Sequence, residues 1–146
     1  MPAFSTFAGA VLAATIAGGP AGTAFYTPPS PLPPAPHGTV IWARVLTTAA
    51  ALPSAASNTL VLYHTTALDG TDRVVSGTVA VPKGPPPLGG WPVISWAHGT
   101  TGDAPQCAPS LDAPDAAEHE YLGPIDPVLD RMVAAGYAVV QTDYEG

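Results

Sequence analysis

The sequence predicts an α/β fold in which an antiparallel hairpin leads into a parallel β-α-β unit. Three features predict it. Two β-branched runs flank a short Asp-Gly turn, "DGTD" at 69–72. A continuous apolar run, "PVISWA" at 92–97, reads as a strand covered on both faces. A capped helical pattern from Asp126 to Gly136 is followed at once by a second apolar run, "YAVVQTD" at 137–143.

The chain has 146 residues, 47% of them apolar, which suits one modest domain with one core. Only 10% are charged, and 19 prolines and 15 glycines mark many turns. The net charge is −7, with Arg44, Arg73, Lys83 and Arg131 the only Lys or Arg side chains. That balance argues against a nucleic-acid partner, which needs a basic patch, and against a polybasic membrane anchor.

Segment 1–24 is expected to be a secretory signal peptide. Its apolar run, Phe7–Gly18, is too short for a stable membrane span, and "AGTA" at 21–24 is a small-residue cleavage site. No Lys or Arg precedes the run, a departure from the usual pattern; the competing reading is a buried helix. A secreted, extracellular location follows as an expectation. Segment 25–37 is a proline-rich lead-in, "YTPPSPLPPAP" from Tyr26. Such a run favours polyproline II and is expected to lie over the domain surface.

The domain itself occupies 38–146. Strands are predicted at Gly38–Leu46, Thr59–Leu68 and Arg73–Pro82, the last two forming the hairpin. "KGPPPLGG" at 83–90 can only be a loop. After the 92–97 strand the helix is expected to start with Asp126 as its cap and Pro127 at its first helical position. Leu129, Met132 and Val133 form its apolar face, and Gly136 closes it. Tyr137–Thr142 is the final strand. Strand, helix, strand at this spacing is a right-handed crossover joining parallel strands.

That order places "HGTTG", His98–Gly102, at the carboxyl end of a strand, where open α/β sheets bind their ligands. Glycines and small neighbours leave backbone N–H groups exposed, and an N–H aimed at a developing negative oxygen is half of an oxyanion hole. The competing reading is an ordinary glycine turn.

Several motifs together resemble the secretory lipase family of the α/β-hydrolases over roughly residues 25–146. These are "FYTPPSPLP" at 25–33, "ISWAHGTTG" at 94–102, "QCAPS" at 106–110 and "LDRMVAAGYAVVQTDYEG" at 129–146. The resemblance implies a secreted triacylglycerol lipase or carboxylesterase that cleaves esters with a serine nucleophile and uses no cofactor or metal. It implies that His98 and Gly99 belong to the oxyanion loop and that Thr100, then Thr101, supplies the backbone donor. His98 would brace that loop, because the family's general base comes later in the chain. Cys107 would be a disulfide cysteine whose partner lies far downstream.

The family needs a nucleophile elbow, G-x-S-x-G, and no such pentapeptide occurs here. No Ser-Asp-His triad can be assigned within the chain. The sequence is therefore expected to be a truncated N-terminal part of an α/β-hydrolase sheet, inactive alone. Three further features suggest the same: an apolar final strand left at an edge, a single clear helix, and an odd cysteine. The alternative is a non-catalytic exported binding module or a degenerate hydrolase remnant. Of the remaining candidates, Asp115, Glu118, His119 and Glu120 read as a solvated acidic loop, not a metal site. Asp143 reads as a loop brace, and Ser76 as sheet packing.

Overall fold

The computed structural model describes residues 16–102 and 104–144. The apolar leader run falls outside the described residues except at positions 16–18. Five strands form one mixed sheet: β1 (Val40–Val45), β2 (Ser57–Thr66), β3 (Asp72–Val81), β4 (Val93–Trp96) and β5 (Ala138–Thr142). Two helices, α1 (His119–Leu122) and α2 (Asp126–Ala134), lie between β4 and β5. The strand order is β1-β2-β3-β5-β4.

The predicted hairpin is present. β2 and β3 pair antiparallel from Ser57↔Val81 to Thr66↔Asp72. Asp69 organises the turn by accepting from the N–H and hydroxyl of Thr71. The parallel unit is also present but small, because only β4 and β5 run parallel; the other three pairings are antiparallel. The α/β prediction therefore holds for one pair of strands in a mostly antiparallel sheet.

The expected edge is in the wrong place. β5 is not at the border; it sits between β3 and β4. The free edge belongs to β4, whose exposure alternates, with Val93 63% exposed and Ile94 packed inward. β4 is thus not covered on both faces, and an edge strand needs only one apolar side.

Side-chain alternation explains the core. The pairings put Leu60, Leu62, Val74, Ala80, Ile94 and Val139 on one face. At one end Phe25 and Leu46 cover that face; at the other, Leu129 and Val133 of α2 cover it together with Leu52. The proline-rich run from Tyr26 does lie over the surface, with no residue of 27–37 buried, but the residue ahead of it is anchored in the core. Phe25 is fully buried, and the Trp42 indole donates to its carbonyl at 2.9 Å.

α2 departs from its prediction at two points. Asp126 is its first residue, not a cap, and no side chain caps the helix start. Met132 is 38% exposed, so Leu129 and Val133 alone of the predicted trio are buried. The end is as expected. Gly136 is left-handed at φ +93°, Gly136 N–H donates to the Val133 carbonyl, and Tyr137 N–H donates to that of Met132. This double bond is the Schellman arrangement.

The acidic loop is not simply solvated. It contains α1, and His119 Nδ1 lies 2.6 Å from Oδ2 of the buried Asp112.

Candidate functional site

The site is built where β4 and β5 end. Being adjacent and parallel, they release their following loops on the same side of the sheet. After β4 comes His98–Gly102; after β5 come Asp143 and Tyr144. The two loops touch. The His98 and Tyr144 rings stack with centroids 4.3 Å apart, and the Tyr144 hydroxyl donates to the His98 carbonyl at 3.1 Å.

Beside them is a cavity of about 520 Å³. Its wall takes in every residue the sequence singled out here: His98, Gly99, Thr100, Thr101, Gly102 and Cys107. Gly99 donates its N–H to the Tyr121 hydroxyl at 3.2 Å, and a Cβ on Gly99 would overlap that oxygen. Glycine lets the Tyr121 hydroxyl come this close; a side chain there would push the exposed Tyr121 aside. With the Gly99 N–H engaged, the next two remain: among the described residues, neither Thr100 nor Thr101 donates its N–H to a partner. The Thr101 hydroxyl is used locally, donating to the Cys107 carbonyl at 2.9 Å, which ties the loop to the "CAPS" segment.

His98 is buried, with Nδ1 2.6 Å from the Gly99 carbonyl. A carbonyl can only accept, so Nδ1 carries a proton. In the neutral ring Nε2 is then a bare lone pair, and it is buried without a partner. Cys107 is a free thiol, half-buried, with its sulfur 3.5 Å from Glu118 Oε1.

The opposite wall was read only in part from the sequence. Asp143 does brace its surroundings. Its carboxylate accepts from the Ser110 N–H at 2.9 Å, and from the Ser76 and Ser110 hydroxyls at 2.5 Å each. Ser76 is thus more than sheet packing, because its hydroxyl links mid-β3 to the end of β5. The Tyr26 and Ser110 hydroxyl oxygens are 3.0 Å apart. Ser110 gives its one proton to Asp143, so Tyr26 is the donor. Burial pushes the Tyr26 phenol above its ordinary range, against the pull of that hydrogen bond. Tyr26, Ser110 and Tyr144 lie within the motifs quoted above, but nothing in those motifs singles them out as site residues, and Tyr121 lies in none; their partners are remote in sequence.

Among the described residues, no three His, Cys, Asp or Glu side chains gather as a metal site. No described helix is long and apolar enough to cross a membrane.

No protein-family model matches the chain, and no curated protein matches it in sequence. Solved structures do match in fold. The crystal structure of Candida antarctica lipase A in its closed state aligns with a TM-score of 0.61 at 23% identity. A second crystal structure of that lipase aligns with a TM-score of 0.60, also at 23% identity. In both, the match covers 75% of this chain and 26% of the lipase. The chain spans about a quarter of the structures it resembles, and the likeness is one of fold.

Proposed function

We propose that this chain carries the oxyanion loop and adjoining cavity of a secreted ester hydrolase, a lipase or carboxylesterase with a serine nucleophile. One observation carries the reading: Thr100 and Thr101 line the cavity at the carboxyl end of β4, and among the described residues their N–H groups have no hydrogen-bond partner. In acyl transfer the attacked ester carbonyl becomes a tetrahedral oxyanion. Fixed N–H donors stabilise that charge more than they stabilise the ground-state carbonyl, and losing one typically costs about 3–4 kcal/mol. The fold likeness to a lipase supports the same reading. Export through a leader ending near Ala24 belongs to the proposal on the sequence pattern alone.

These residues hold no G-x-S-x-G. The serine on the cavity wall, Ser76, gives its proton to Asp143 and not to a histidine. That favours a second reading, a non-catalytic binding module. In either reading the isolated chain turns over no ester.

The test is direct. Ethyl butyrate is titrated into the nitrogen-15-labelled chain, and amide shifts are followed by NMR. Thr100 and Thr101 are expected to move first and furthest, and Thr100→Pro, which deletes an N–H, to weaken the response while Thr100→Ala does not. Parallel incubation with a fluorophosphonate is expected to leave every serine unlabelled. Still amides at 100 and 101 would remove the oxyanion reading; stoichiometric serine labelling would show that the chain carries a reactive nucleophile of its own.

A further inference from the structure

The protons on the cavity's side-chain wall are nearly all committed inside the protein. Thr101 donates to the Cys107 carbonyl, Ser76 to Asp143, Tyr144 to the His98 carbonyl, and His98 Nδ1 to the Gly99 carbonyl. What these side chains still offer a ligand is lone pairs, and that of His98 Nε2 is buried with no partner at all. The wall also carries the Asp143 carboxylate, and none of the four Lys and Arg side chains reaches it. Such a surface accepts hydrogen bonds and repels anions. Among the described residues, the donors left on this cavity are the Thr100 hydroxyl and the backbone N–H groups that follow Gly99 in the loop.

We infer that this wall binds an uncharged hydroxyl-bearing molecule, an alcohol or polyol, whose O–H is accepted by His98 Nε2. The inference rests on the ester-site reading for the identity of its ligand: the loop faces the acyl oxygen, and the side-chain wall takes the alcohol. Nε2 is buried in a residue that lines the cavity, and a hydroxyl reaches it by displacing a neighbouring side chain. A carboxylate has no donor to offer and meets the Asp143 charge, so the acid product is excluded where the alcohol is held.

The experiment uses the full chain, labelled with nitrogen-15. Long-range proton–nitrogen spectra report the His98 ring: a protonated Nδ1 and a bare Nε2 are expected. Butanol and glycerol are expected to shift Nε2, and sodium butyrate to leave it in place at the same concentration. His98→Phe keeps a ring against Tyr144 but removes the acceptor, and is expected to weaken butanol binding roughly threefold to tenfold. Tyr144→Ala is expected to keep the binding. The inference is overturned if Nε2 carries the proton, if butyrate binds as well as butanol, or if His98→Phe changes nothing. Loss of binding in Tyr144→Ala would overturn it as well, placing the contact on the phenol. The two readings fail separately. Butanol at Nε2 with ethyl butyrate leaving the Thr100 and Thr101 amides still would spare this inference and remove the ester site. The converse pattern would remove this inference alone.

Discussion

Asp126 shows how a single residue can carry a pH dependence that its sequence context hides. Its carboxyl is pushed up to about 6, first by burial and then by the negative charge of Asp112, while His119 pulls the other way. A raised acid holds its proton more tightly in the folded chain than in the unfolded one. Its contribution to stability is therefore complete below about 3.8 and is lost as pH rises through about 6. Asp126→Asn removes that loss. The variant is expected to exceed the parent in stability at neutral pH by about 1 kcal/mol, the half-buried site being partly screened by solvent. The difference should close as the solution is acidified to about pH 4. Urea denaturation at both pH values checks this, and an advantage that does not change with pH would assign it to something other than titration. From the sequence, Asp126 looked like a helix cap and His119 part of a solvated loop. The first failed because the helix already includes Asp126, with Ile125 in the cap position, and the second because His119's partner, Asp112, lies in a separate turn.

At the scale of elements, local signals were legible and pairings were not. The Asp-Gly turn and Gly136 each act within a few residues and sit where the sequence put them, while Pro127 falls one position later in the helix than expected, at its second residue. Gly136 is left-handed and nothing lies within 4 Å of the place its Cβ would take. Gly136→Ala should then cost the backbone penalty alone, about 1–2 kcal/mol, and lower the Tm by a few degrees. An unchanged melting curve would show that the turn can relax out of its left-handed form. Strand order is a different matter. "PVISWA" and "YAVVQTD" are both short apolar runs, and nothing within either says which will lie at the border. The answer comes from Gly77, in β3, lying opposite Thr142, in β5, a pairing 65 positions apart in the chain.

For the molecule as a whole, the site was half legible. The His98–Gly102 loop and Cys107 announce themselves as motifs. The wall facing them does not, because it is made by contacts such as Tyr26 with Ser110 and Ser76 with Asp143, separated by 84 and 67 positions. The same non-local order leaves β4 as a free parallel-type edge with Val93 outward. Unprotected apolar edges invite pairing with another copy. The parent chain is expected to associate as its concentration rises, and Val93→Lys to suppress that while changing stability by no more than about 0.5 kcal/mol. Sedimentation velocity across a concentration series checks it, and equal association of the two proteins would clear the edge of blame.

The stretch around Phe25 sets a chronology. Gly22–Tyr26 is a single tight 3-10 turn, Phe25 is sealed in the core, and Arg44 stands 4.5 Å over its ring while donating to the Pro20 and Gly22 carbonyls. A peptidase that severs the chain after Ala24 must grip these same residues drawn out straight, which would pull the phenylalanine from its socket. At this one bond, scission and folding exclude each other. If the leader is removed there, only one sequence of events completes both: the knife comes first, on a chain still unfolded, and the new terminal phenylalanine is buried afterwards.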